Sequence, residues 1–113
     1  MPARFMIRAD VPAVLEAERL SFEDCWDEPR LLDNLRTRGT VALVAEDADR
    51  RVCGHLCYEV EDDCLHVVRL AVRPDARRRG YAGELLAMVV ARLSARRPAL
   101  RLEVHEENDA ALA

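Results

Sequence analysis

The chain contains no lysine: all 17 of its basic residues are arginines, set against 21 acidic ones for a net charge of −4. An acidic balance argues against a general nucleic-acid binder, which would carry a basic surface. Without lysine, a Walker-type phosphate loop cannot be built. Aromatic residues make up only 4%, so the core must be aliphatic. No apolar run approaches the roughly 20 residues that cross a bilayer. The first stretch carries Arg4, Arg8, Asp10, Glu16, Glu18 and Arg19, which leaves no apolar signal region. A cytoplasmic location with no membrane or nucleic-acid partner is expected. The length of 113 residues predicts a single domain over 1–113 with one core.

Cysteine is present but irregularly spaced, at Cys25, Cys53, Cys57 and Cys64. In a reducing compartment these are expected as free thiols. Cys53, His55 and Cys57 fall on one face of an alternating strand, with Cys64 and His66 across a turn. Zinc accepts such ligands, but no C-x-x-C is present. The expectation is small core side chains and no metal. No cysteine has a base and an orienting partner in the pattern, which argues against a cysteine nucleophile.

What is present is a readable series of elements. Phe5–Arg8 reads as a first strand. Asp10 and Pro12 open a helix carrying Val14, Leu15, Ala17 and Leu20. Asp27 and Pro29 open a second, with Leu31, Leu32 and Leu35 at helical spacing and Gly39 as its stop. Three strands follow at 41–45, 52–60 and 64–72, separated by the polar turns 47–51 and 61–63. From Gly80 the period changes, and Tyr81, Ala82, Leu85, Leu86, Val89, Val90 and Leu93 make an amphipathic helix that Pro98 closes. Leu100, Leu102 and Val104 then share a strand face. Asn108 is placed to cap a last helix. The order is β-α-α-β-β-β-α-β-(α), an α/β (α+β) chain with a mostly antiparallel sheet flanked by helices.

The chemistry-bearing feature is the passage from strand to helix over 68–82. Arg77, Arg78 and Arg79 precede Gly80 and Ala82, which leave the backbone open to close approach. The first turn of the next helix offers free N–H groups at the positive end of its dipole. Flanking guanidinium groups add charge-assisted bonds to phosphate oxygens. Physics alone thus points to a phosphate-bearing ligand. From the arginine–glycine turn taken alone, a solvated turn capping an ordinary helix is the simpler reading. A dinucleotide fingerprint fits worse, since only Gly80 and Gly83 occur and antiparallel strands come first.

Arg77-Arg78-Arg79-Gly80-Tyr81-Ala82 resembles the pyrophosphate signature Q/R-x-x-G-x-G/A of the GNAT N-acetyltransferases. Leu70-Ala71-Val72-Arg73-Pro74 before it and Leu85-Leu86 after it extend the likeness. A narrower resemblance is to the RimI-type ribosomal-protein alanine N-acetyltransferases. It lies in Glu18, Ser21-Phe22 and Trp26-Asp27, with Cys25 where proline is usual, and in Leu102-Glu103-Val104 and Asn108–Ala113.

The resemblance implies acetyl-CoA as acyl donor and a primary amine as acceptor, either the amino terminus of a protein, such as a ribosomal protein, or a small amine. It implies that the backbone of Leu70, Ala71 and Val72 pairs with the pantetheine arm like an added strand. The turn from Arg77 through Arg78, Arg79, Gly80, Tyr81, Ala82 and Gly83 would hold the pyrophosphate, with Asn108 on the cofactor arm. Glu103 stands where the subgroup has its general base. The family pattern continues past Ala113 with two further strands and the tyrosine that protonates the leaving thiolate. The resemblance therefore implies a C-terminally incomplete domain, with the last two strands missing. A truncated reading frame, a fragment, or completion by a second copy in a homodimer would each account for it. A non-catalytic CoA-binding module is the rival of a different class.

Overall fold

A computed structural model describes residues 3–102. Its elements are β1 (Ala3–Phe5), α1 (Val11–Ser21), α2 (Glu28–Arg36), β2 (Thr40–Glu46), β3 (Val52–Val60), β4 (Cys64–Val72), α3 (Tyr81–Val90) and β5 (Ala99–Leu102). The five strands form one sheet in the order β1-β2-β3-β4-β5. All neighbours are antiparallel except β4 and β5, which run parallel. This is the mixed, mostly antiparallel architecture the sequence predicts, in the same element order as far as Leu102.

Helices cover both faces. On one, Val11, Val14, Trp26 and Leu31 pack with Val44, Val52 and Cys57. On the other, Ala82, Leu85 and Val89 of α3 pack with Leu43, Leu56, Leu70 and Val72. Strands β3 and β4 are central and covered twice. They therefore read as nearly continuous apolar runs rather than alternating ones.

Two bulges set the phase of these strands. Ala45 pairs with Gly54 and Glu46 with Val52, which leaves Cys53 as an extra residue in β3. Cys57 pairs with Arg69 and Tyr58 with Val67, which leaves Val68 as an extra residue in β4. An extra residue reverses the facing of everything beyond it. Cys53 thus faces α3 while Cys57 faces α1 and α2, so the expected shared face of Cys53, His55 and Cys57 does not form.

The first strand is Ala3–Phe5, shorter and earlier than expected. Asp10 explains why. Its carboxylate accepts the Ile7 N–H at 2.8 Å and the Arg4 guanidinium at 2.8 and 2.9 Å, which holds Ile7 as the extended N-cap of a single helical turn at Arg8–Asp10. Asp10 does stand at the N-cap of α1, but its side chain caps that preceding turn instead. Asp27 caps α2 as expected, accepting from the Arg30 N–H at 3.0 Å. Helix α3 ends at Val90, short of Leu93. Its last turn tightens through bonds from Arg92 to Val89 and from Leu93 to Val90.

Candidate functional site

The site is built where β4 runs out. Strand β5 pairs with β4 only from Cys64 to Val67. Past the Val68 bulge, the outward edge of Leu70, Ala71 and Val72 has no strand beside it among the described residues, while their inward edge stays bonded to β3. An edge so exposed offers unpaired N–H and C=O groups to an extended ligand.

The end of this edge is held firmly. The Val72 carbonyl accepts from Ser21 Oγ at 3.2 Å and from Arg77 Nε at 3.1 Å. The Arg73 N–H donates to the Cys53 carbonyl, inside the β3 bulge, at 2.8 Å. Gly54 lies opposite Val72, and a Cβ there would come within 3.0 Å of the Ala71 carbonyl oxygen. Only glycine lets the two strands approach so closely.

A single helical turn at Pro74–Ala76 then leads to the arginine turn. Arg78 and Gly80 both take left-handed backbone, at φ 65 and φ 87. Alternation of this kind turns successive N–H groups toward one concavity, as in anion-binding nests. Helix α3 begins at Tyr81, and its first internal bond runs from the Glu84 N–H to the Gly80 carbonyl. The N–H groups of Tyr81, Ala82 and Gly83 precede that bond, so they have no partner within the helix. Nothing lies within 4 Å of where a Cβ on Gly80 or Gly83 would stand. Arg78 and Arg79 are exposed, whereas Arg77 is half-buried and turned back onto Val72. Ten of the expected residues thus lie along one path: Leu70, Ala71 and Val72, Arg77 to Gly80, and Tyr81 to Gly83. Glu103 and Asn108 lie outside the described residues.

A second feature had no role assigned from sequence. Glu18 of α1 is fully buried. Its Oε2 lies 2.7 Å from His55 Nε2, and its Oε1 accepts the Trp26 N–H at 2.9 Å. Arg69 reaches it through Nε at 2.9 Å and through Nη2 at 2.5 Å. Burial by itself would raise the Glu18 carboxyl, but the bonds from His55 and Arg69 outweigh it and hold the group at about 2. Arg69 stacks on Phe22, 4.0 Å from the ring centre, and donates to the Asp24 carbonyl at 3.1 Å. The available signal was spacing: Val14, Ala17, Glu18 and Ser21 share one side of α1, and that side is the buried one. A cleft of about 560 Å³ opens beside this network, lined by Asp24, Trp26, Asp33, Glu59, Val68 and Arg69 among others.

Cys57 stands opposite Arg69 in the sheet, and Cys53 lies in the β3 bulge. Burial pushes Cys53 up to about 11 and Cys57 up to about 12, so neither supplies a thiolate near neutral pH.

Residues 11–113 match the profile described as the Acetyltransferase (GNAT) family. No curated protein matches the chain in sequence. Among solved structures, a ribosomal-protein alanine N-acetyltransferase from Escherichia coli is similar with a TM-score of 0.80 and 24% identity, over 97% of this chain and 70% of that one. A ribosomal-protein-alanine N-acetyltransferase from Brucella melitensis gives 0.77 and 17%, over 94% and 82%. AAC(6')-Iy, solved with a bisubstrate CoA analogue, gives 0.72 and 18%, over 95% and 81%. At these identities the likeness establishes the fold.

Proposed function

The chain belongs to the GNAT acetyltransferase family, and from that premise we propose that it acetylates the amino terminus of a protein, with acetyl-CoA as donor. The observation that carries the reading is the edge of β4 at 70–72, which no strand pairs among the described residues, leading through the Pro74–Ala76 turn to the left-handed turn and the start of α3. A pantetheine arm is an extended chain with amides, and the edge at Leu70, Ala71 and Val72 suits it as an added strand. A pyrophosphate suits the N–H groups from Arg78 to Gly83, with Arg78 and Arg79 adding charge from either side. Arg77 serves differently, by fixing the end of the strand. Asn108 is assigned to the cofactor arm.

The chemistry asked of the protein is modest. An amino-terminal ammonium, with an ordinary pKa near 7.7–8.0, is mostly protonated at neutral pH, and only the free amine attacks. Glu103 is assigned as the base that takes its proton. The amine nitrogen bonds to the acyl carbon as the carbon–sulfur bond breaks, and the sulfur leaves as a thiolate that takes up the proton the nitrogen sheds on becoming an amide. A backbone N–H near Val72 would stabilise the oxygen as charge develops on it. The cleft beside Arg69 is assigned to the acceptor, because it borders β4 on the face opposite α3.

A transfer assay tests the acceptor class. With acetyl-CoA present, a peptide bearing a free alanine amino terminus should gain one acetyl group, located by fragmentation at its α-amine. The same peptide with a blocked terminus and an internal lysine should gain none. Acetylation of that lysine, or of a small polyamine in preference to the free peptide, would count against a protein amino terminus.

A further inference from the structure

The Glu18 network is more elaborate than packing requires. Replacing a buried ion pair by apolar residues of similar volume is often neutral or stabilising, so α1 could be fixed to the sheet without a charge. Here the carboxylate instead gathers three separate parts of the chain. His55 comes from β3, Arg69 from the bulged part of β4, and the Trp26 N–H from the connection between α1 and α2. That connection, residues 22–27, has no regular structure of its own. It is held at three points by one ion pair: the Phe22 ring beneath Arg69, the Asp24 carbonyl on Nη2, and the Trp26 N–H on Glu18 itself. Trp26 and Asp24 then line the cleft beside β4.

We propose that Glu18 is a positioning residue for acyl transfer: by clamping Arg69 in the β4 bulge, it fixes the 22–27 segment as one wall of the acceptor cleft. Glu18 touches neither donor nor acceptor and acts through Arg69 and Trp26. The inference rests on the assignment of that cleft to the acceptor.

The test compares Glu18→Gln with the double variant Glu18→Gln, Arg69→Met, using the alanine-initiated peptide and acetyl-CoA. Trp26 is the sole tryptophan, so its emission reads the segment directly. In Glu18→Gln, acrylamide quenching of Trp26 rises and the peptide KM increases about tenfold, the equivalent of one lost charged hydrogen bond. The acetyl-CoA Kd and kcat stay at the parent values. The double variant carries no unpaired buried charge. It regains thermal stability but keeps the raised KM, which a purely structural role would not produce. A KM that recovers together with stability overturns the proposal, and so does unchanged Trp26 quenching in folded Glu18→Gln. Should the parent bind acetyl-CoA yet acetylate no peptide, the acceptor reading has failed, and the cleft-wall role of Glu18 fails with it.

Discussion

Replacing Glu103 with glutamine is expected to lower kcat at neutral pH by about 10²–10⁴-fold, the usual contribution of a positioned general base. Glutamine keeps the shape of the side chain and removes its basicity. Acetyl-CoA binding should be unchanged, because the residues assigned to the donor are Leu70 to Val72, Arg78 to Gly83 and Asn108. The defect should also shrink as pH rises above the pKa of the amine, since the acceptor then arrives already deprotonated. Stopped-time transfer assays across pH, with parent and variant side by side, give both readings. An undiminished kcat at neutral pH would remove Glu103 from the role. A defect of equal size at every pH would assign it a structural one.

The second large effect is on stability and comes from Glu18. Its carboxyl is held at about 2 in the folded chain against an ordinary 4.5. A group whose folded pKa is depressed stabilises the fold fully above its unfolded value and loses that contribution as pH falls through the folded one. The window is therefore about 4.5 down to about 2. The difference corresponds to about 3 kcal/mol, of which about 2 kcal/mol is gone by about pH 3. Urea unfolding of the parent should show this loss between pH 6 and about pH 3, while the double variant Glu18→Gln, Arg69→Met should lose distinctly less over the same range. Equal losses in the two proteins would mean that Glu18 does not govern acid stability. At neutral pH, Glu18→Ala should cost about 3–5 kcal/mol, because Arg69 and His55 are left without their partner.

These effects also mark where the sequence was legible and where it was not. Strands β3 and β4 were placed at their observed limits because polar turns at 47–51 and 61–63 bound the apolar runs. Helix α2 was legible from Asp27 and Pro29, and the arginine turn from its glycines and its position between a strand and an amphipathic helix. The bulges were not legible. In strands covered on both faces apolar residues fall on both, so the alternation is too weak to record where the phase changes. Simple alternation therefore gives Cys53 the wrong face and hides the turn of Arg69 toward α1. The Glu18 network was missed for a related reason: its partners lie 37 and 51 residues away, and only the folded sheet brings them together. The strand reading holds at Phe5 but not at Ile7. They alternate like strand residues but are half or more exposed, and the Asp10 carboxylate, not burial, decides the local path.

The central claim is that the end of β4 and the start of α3 form the acetyl-CoA site. The most direct test is a calorimetric titration of acetyl-CoA into the 113-residue chain and into an Arg79→Glu, Gly80→Asp variant. Aspartate tolerates the left-handed backbone that Gly80 adopts, so the variant should still melt cooperatively. The account predicts saturable binding by the parent and a loss of about 100-fold in the variant, as two charge-assisted contacts become repulsions. No binding by the folded parent, or equal binding by the two proteins, would contradict it.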